Sequence, residues 1–134
     1  KCKEYYSYSS FPGWGRGMYA GKDYLIDDIV GDVNPSITVP REKMMGTQII
    51  YYEFGYDSDS SIIVLGPGSL HNHNETYHVI HTWADITVEE PRDSLRSFEH
   101  SAYLFDLFQA QSDILEGEEI LFFYGENWFA SKDF

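Results

Sequence analysis

The 134-residue sequence contains one cysteine, Cys2, so no disulfide can close within it and no cysteine-based zinc cluster can form. Bases are scarce: nine Lys and Arg stand against 22 Asp and Glu, a formal charge of −13. A surface so short of bases cannot neutralise a run of phosphates, which argues against direct binding to nucleic acid. The same imbalance suits a cationic partner such as a lysine-rich peptide, or serves solubility alone. No apolar run approaches the roughly 20 residues of a membrane-spanning helix, so no membrane partner is expected. A signal-peptide pattern is also lacking, and a chain that opens on Lys1 is expected to be an excised or processed piece. The compartment is left open. Asn74-Glu75-Thr76 fits a glycosylation sequon, but such triplets arise often by chance.

Aromatic residues, by contrast, are plentiful: eleven Tyr, nine Phe and three Trp. Tyr and Trp bury a ring while keeping a polar tip for a partner, which suits β-rich cores and binding clefts alike. The length fits a single domain over residues 1–134. Residues 1–10 are polar and read as irregular. Strands are expected at 18–20, 24–30, 37–39, 47–54, 61–65, 79–86 and 120–124, where β-branched and aromatic residues cluster between Gly, Pro and Asn breaks. Asn34-Pro35-Ser36 reads as one such break. Residues 87–112 read as an insertion, strand-like over 98–109, with a helical turn as the alternative over 104–110. An aromatic tail follows Asn127. No internal repeat is visible. Many short strands with little helical periodicity predict a mainly β fold of small sheets.

Three segments carry more than structure requires. In Gly13-Trp14-Gly15-Arg16-Gly17-Met18-Tyr19-Ala20, closely spaced glycines let the backbone approach a ligand, or simply make a turn. A dinucleotide fingerprint is excluded, because no confident strand precedes the glycines and no helix follows. In Leu65-Gly66-Pro67-Gly68-Ser69-Leu70-His71-Asn72-His73-Asn74, two histidines alternate along the chain. On a strand they would share a face and suit a metal, with Glu75, His78 and His81 as further ligands. The alternative is a polar loop that closes a pocket. In Gly117-Glu118-Glu119-Ile120-Leu121-Phe122-Phe123-Tyr124-Gly125, Tyr124 is either a phenol at a sheet rim or a core tyrosine.

In this order the three segments resemble the SET domain family of protein-lysine methyltransferases, in its small free-standing form. Gly15-Arg16-Gly17-Met18-Tyr19-Ala20 is similar to that family's opening motif. Leu65 to His73 resembles its L-G-x-G-S-L-x-N-H signature, and Asp113 to Ile120 followed by Tyr124-Gly125 resembles its D-I-x-x-G-E-E-I…Y-G ending. The likeness runs from about Gly13 to Trp128. Ser69 stands where many relatives have Arg, and Phe123 where Asp or Asn is usual.

The resemblance implies a SET-type fold of small curved sheets, few short helices and a knot-like crossing near the C-terminus. It implies methyl transfer from S-adenosylmethionine to the lysine side chain of a protein or basic peptide. Arg16, Gly17, Met18, Asn72 and His73 would hold the cofactor, Tyr124 would be catalytic, and Phe122 and Trp128 would line the lysine channel. Phe rather than Tyr at 122 implies di- or trimethylation. No metal is implied. Two other readings stay open: a SET-like domain without activity that serves as a binding module, and a metal-binding barrel of the cupin kind, whose first motif His71-x-His73-x-Glu75 loosely resembles.

Overall fold

The computed structural model describes residues 2–85 and 104–131. Among the described residues, nine strands and two short helices form the framework: β1 (Glu4–Tyr8), β2 (Arg16–Ala20), β3 (Asn34–Pro40), α1 (Arg41–Met44), β4 (Glu53–Gly55), β5 (Ser60–Val64), β6 (Asn72–His73), β7 (Val79–Asp85), β8 (Leu104–Ala110), β9 (Leu121–Phe122) and α2 (Glu126–Ala130). The fold is mainly β with few short helices, as expected. By contact it divides into two compact units. Among the described residues, one takes in the chain up to Val33, Leu70–Thr82 and the stretch from Leu107. The other takes in Asn34–Ser69 with the last residues of β7 and the first of β8.

The second unit is an antiparallel sheet in the order β4-β5-β3-β8. Its interior strand β5 is buried on both faces, which is why Ile62-Ile63-Val64 is uniformly apolar rather than alternating. Ile63 packs with Met44, Ile50 and Val39, while Ile62 and Val64 pack with Phe54 and Tyr56 on the opposite side. Arg41 grips the Glu53 carboxylate with two bonds of 3.1 Å, and Ser61 Oγ donates to it at 2.7 Å. Glu53 thereby carries its charge into a nearly buried position with its lone pairs engaged.

Several expected boundaries move. Residues 1–10 are not irregular throughout, because β1 pairs antiparallel with β2, from Glu4 opposite Ala20 to Tyr8 opposite Arg16. Asn34-Pro35-Ser36 lies inside β3 rather than breaking the chain. The stretch 47–54 is not one strand. Gln48–Tyr52 is a 3-10 turn that buries Ile50 alone, and pairing starts only at Glu53. High β-propensity there is overridden because no neighbouring strand accepts its ladder. Within the proposed 87–112 insertion, Leu104–Ala110 is a strand and not a helical turn; residues 86–103 lie outside the described part. The tail holds the helix α2.

The first unit contains a structural repeat that the sequence conceals. The segment from Met18 to Val30 and the segment from Phe108 to Ile120 cross antiparallel, and their contacts are reciprocal. Tyr24 and Ile114 exchange N–H···O bonds at 2.8 and 2.9 Å. Ala20 N–H donates to Glu118 O while the Ala20 carbonyl accepts Gly117 N–H, just as Ala110 N–H donates to Asp28 O while the Ala110 carbonyl accepts Asp27 N–H. Side chains follow suit. Asp23 accepts from Glu116 N–H at 2.7 Å and Asp113 from Ile26 N–H at 2.9 Å. Asp28 caps Leu25 N–H as Glu118 caps Leu115 N–H. Each pair of equivalents Met18/Phe108, Ala20/Ala110, Tyr24/Ile114 and Val30/Ile120 is buried. The expected strand over 24–30 is therefore two isolated bridges around a turn, at Tyr24 and Ile29.

The remainder of this unit is a parallel trio. β9 lies between β6 and β7, with Leu121 opposite Asn72, and Phe122 opposite both His73 and Val79. A strand from the end of the chain thus enters between two strands from its middle, and this brings the second and third motifs side by side.

Candidate functional site

All eight residues singled out for a site lie in the first unit. Tyr124 follows β9 directly. Its hydroxyl donates to the His71 carbonyl at 2.6 Å, and its backbone N–H donates to His73 Nδ1 at 3.0 Å. Tyr124 is therefore fastened at both ends to the segment around β6. With its proton committed, the phenol oxygen can act only as an acceptor toward anything bound beside it. The chain then turns at Gly125, whose φ of 97° is open to glycine and strained for other residues. That turn starts α2 and folds Trp128 and Phe129 back over Tyr124, with ring centroids 4.7 and 6.2 Å away.

His73 sits inside this aromatic group, 4.8 Å from Phe129 and 5.4 Å from Phe123. Burial lowers its pKa, only partly offset by Glu75, so the ring stays neutral and keeps Nδ1 as an acceptor. Phe122 packs edge-on against Phe108 at 5.7 Å and lies 5.9 Å from Tyr124. The Tyr124 ring thus lies beside both Phe122 and Trp128.

The opening motif joins through Asn72. Its Nδ2 donates to Arg16 O at 3.1 Å and to Glu119 Oε1 at 2.8 Å. Glu119 also accepts from Ser9 Oγ at 2.9 Å, Ser10 N–H at 2.9 Å and Ser10 Oγ at 2.6 Å. Burial pushes its carboxyl up, but the bonds from Ser10, Asn72 and Ser9 outweigh this and hold it below the usual glutamate value. Gly17 lies against the same group; a Cβ there would collide with the Glu119 carboxylate and the Asn72 amide. Glu119 is the functional candidate that sequence reasoning passed over. Its signal was present, as the second acid of Gly117-Glu118-Glu119 in the third segment, but no role was assigned to it there.

Arg16 and Met18 lie on β2, on either side of Gly17. The Arg16 carbonyl is taken by Asn72, and its guanidinium lies over the Tyr8 ring at 4.5 Å. The Met18 side chain is core, and its carbonyl accepts Ile120 N–H at 2.8 Å. Each of these carbonyls accepts one hydrogen bond from within the chain.

The histidines do not converge. His71 is buried edge-on against Phe108, with Nε2 3.7 Å from Glu4 Oε2. His73 Nδ1 is occupied as described, and His78 Nδ1 accepts Leu121 N–H at 3.3 Å. Among the described residues, no three His, Cys, Asp or Glu side chains are placed to hold a metal ion.

No protein-family model and no curated protein sequence matches this chain. Among solved structures, it is similar to the crystal structure of a Plasmodium falciparum "putative histone methyltransferase", with a TM-score of 0.72 at 19% identity over 96% of this chain and 98% of that one. At that identity the likeness establishes the fold.

Proposed function

We propose that this chain is a SET-type methyltransferase that moves a methyl group from S-adenosylmethionine to the side-chain amine of lysine in a protein or basic peptide. The observation that carries the reading is the double fastening of Tyr124 to His71 and His73 within an aromatic group, with Asn72 tied to the glycine motif on β2. Motifs far apart in sequence meet there with complementary chemistry. The structural neighbour's name supports the same class of reaction.

S-adenosylmethionine, when bound, supplies a methyl already activated by its cationic sulfur. The residues present fit such a group. Aromatic faces at Tyr124, Trp128 and Phe129 favour a cation. Asn72 retains an amide oxygen as acceptor once both its N–H bonds are made. Asn72 and His73 stay in the proposed cofactor set, with Gly17 giving the close backbone approach. Arg16 and Met18 lie on either side of it on β2.

Catalysis then requires alignment more than proton chemistry. The Tyr124 oxygen, its proton directed to His71, accepts weak C–H and N–H donors and holds the reacting groups in line. Apolar walls at Phe122 and Trp128 favour the neutral amine of lysine over its ammonium. Phe122 leaves room for more than one methyl, hence di- or trimethylation. The charge of −13 draws a basic substrate toward the domain.

Mass spectrometry on lysine-rich peptides tests this. Wild type should add methyl groups in the presence of S-adenosylmethionine. Tyr124→Phe should fold and bind cofactor but turn over about 10²-fold more slowly, the loss typical of one stabilising polar group. Equal rates for the two proteins would remove Tyr124 from catalysis.

A further inference from the structure

Glu119 is 7% exposed, and among the described residues the donors to its carboxylate are hydroxyls, a backbone N–H and the Asn72 amide. We propose that Glu119 is a positioning residue that fixes which end of the Asn72 amide the site offers to a ligand. The inference rests on the S-adenosylmethionine reading above and deepens it.

An asparagine amide can be turned end for end with little change of shape, and the two orientations offer opposite chemistry. Here the choice is forced. Both partners of Nδ2, the Arg16 carbonyl and the Glu119 carboxylate, can only accept. Turning the amide would set its oxygen against two other oxygens. The arrangement holds because Glu119 is itself locked, by Ser9 and by both the N–H and the hydroxyl of Ser10. Asn72 is left with Oδ1 alone to offer, so whatever docks against it must donate.

The charge adds a preference among donors. A carboxylate that accepts from one end of an amide polarises the other end, raising negative character on Oδ1. That favours a cationic donor over a neutral one. In S-adenosylmethionine the cationic donor is the α-ammonium of the methionine end; the adenine amine and ribose hydroxyls are neutral. Glu119 therefore acts through Asn72 to select ligands that carry the amino-acid end.

Two ligands separate this role from a merely structural one. S-adenosylhomocysteine and 5′-methylthioadenosine share the nucleoside and the thioether, and only the first has the ammonium. Glu119→Gln preserves shape but places an NH₂ opposite one of the donors. Calorimetry should show S-adenosylhomocysteine weakened by about 10-fold or more, the scale of one charge-assisted hydrogen bond, with 5′-methylthioadenosine changed by less than about 2-fold. Equal losses on both ligands would make Glu119 structural only, and no loss on either would overturn the proposal outright. Ser10→Ala keeps the backbone bond while removing one donor, so it provides the same comparison if Glu119→Gln does not fold; its loss should be smaller and again confined to S-adenosylhomocysteine. The Asn72 side-chain NH₂ resonances report orientation without any ligand. In wild type both protons should exchange slowly, and in Glu119→Gln one should become fast; two fast protons in wild type would refute the locked amide. Wild type binding neither ligand would instead sink the cofactor reading, and the resonances would still decide whether Glu119 holds Asn72.

Discussion

Two equivalent turns in the structural repeat carry the clearest stability test. Gly117 has φ of 88° and Asp27 has φ of 73°, and each donates its N–H to the alanine of the opposite segment, Ala20 and Ala110. The geometry of the repeat demands a left-handed residue at both places. One copy meets the demand with glycine, and the other with a residue that has a Cβ. A Cβ added at Gly117 meets no heavy atom within 4 Å, so Gly117→Ala carries no packing term. What remains is backbone strain, about 1–2 kcal/mol for an L-residue in this region, partly offset by the smaller freedom of alanine in the unfolded chain, for a net cost of about 1 kcal/mol. Asp27 already bears part of that strain. Asp27→Gly should release it, less the extra freedom glycine gains in the unfolded chain, for a net stabilisation of about 0.5 kcal/mol. Urea denaturation followed by fluorescence gives both values, provided the slope with denaturant is unchanged. In thermal melts the alanine variant should fall by roughly 3–8 °C, from the size dependence of unfolding entropy. A Gly117→Ala protein within about 0.5 kcal/mol of wild type, the ordinary range for surface substitutions, would refute the argument from strain. So would an Asp27→Gly protein less stable than wild type.

Stability should fall with acid in two windows. His73, held neutral by burial, favours folding fully above its unfolded value near 6.5 and loses that contribution as pH drops below it toward the lowered folded value; Glu119, held ionised, does the same from its unfolded value of 4.5 downward. Denaturation midpoints across pH 3–8 should therefore flatten below pH 4.5 in Glu119→Gln, and an unchanged profile would discount its hydrogen bonds. Phe122→Tyr places a hydroxyl beside Tyr124 and should shift product toward monomethyl-lysine by mass spectrometry; an unchanged product distribution would remove Phe122 from the gate. Chelator should leave the melting temperature unchanged, whereas one tightly bound metal per chain, lost together with stability, would favour the cupin reading.

Periodicity alone made much of the fold legible. The expected strand over 61–65 became β5, an interior strand paired on both sides by β4 and β3. The alternation beginning at Val79 became β7. The stretch 47–54 failed for a reason no local pattern contains: β-rich residues form a strand only where a neighbour accepts their hydrogen bonds, and there only Glu53–Gly55 finds one. In the site, Tyr124, Asn72 and His73 were singled out by the resemblance of their motifs to a family, and the structure brings those motifs side by side. The bond from Ile120 N–H to the Met18 carbonyl was not legible, since its donor lies more than a hundred positions along the chain.

The order of the three motifs, the shortage of bases and the mainly β character belonged to the sequence itself, because each depends on residue type and near neighbours. The tertiary structure decided the rest. It matched Met18–Val30 with Phe108–Ile120, although few of the equivalent residues are identical, because the equivalence lies in backbone bonds and burial rather than in side-chain identity. It placed β9 between β6 and β7, which set Tyr124 against His71 and His73. And it made a buried hub of Glu119 by bringing Ser9, Ser10 and Asn72 to one carboxylate, since a buried charge persists only where distant parts of the chain together supply the hydrogen bonds that water no longer does.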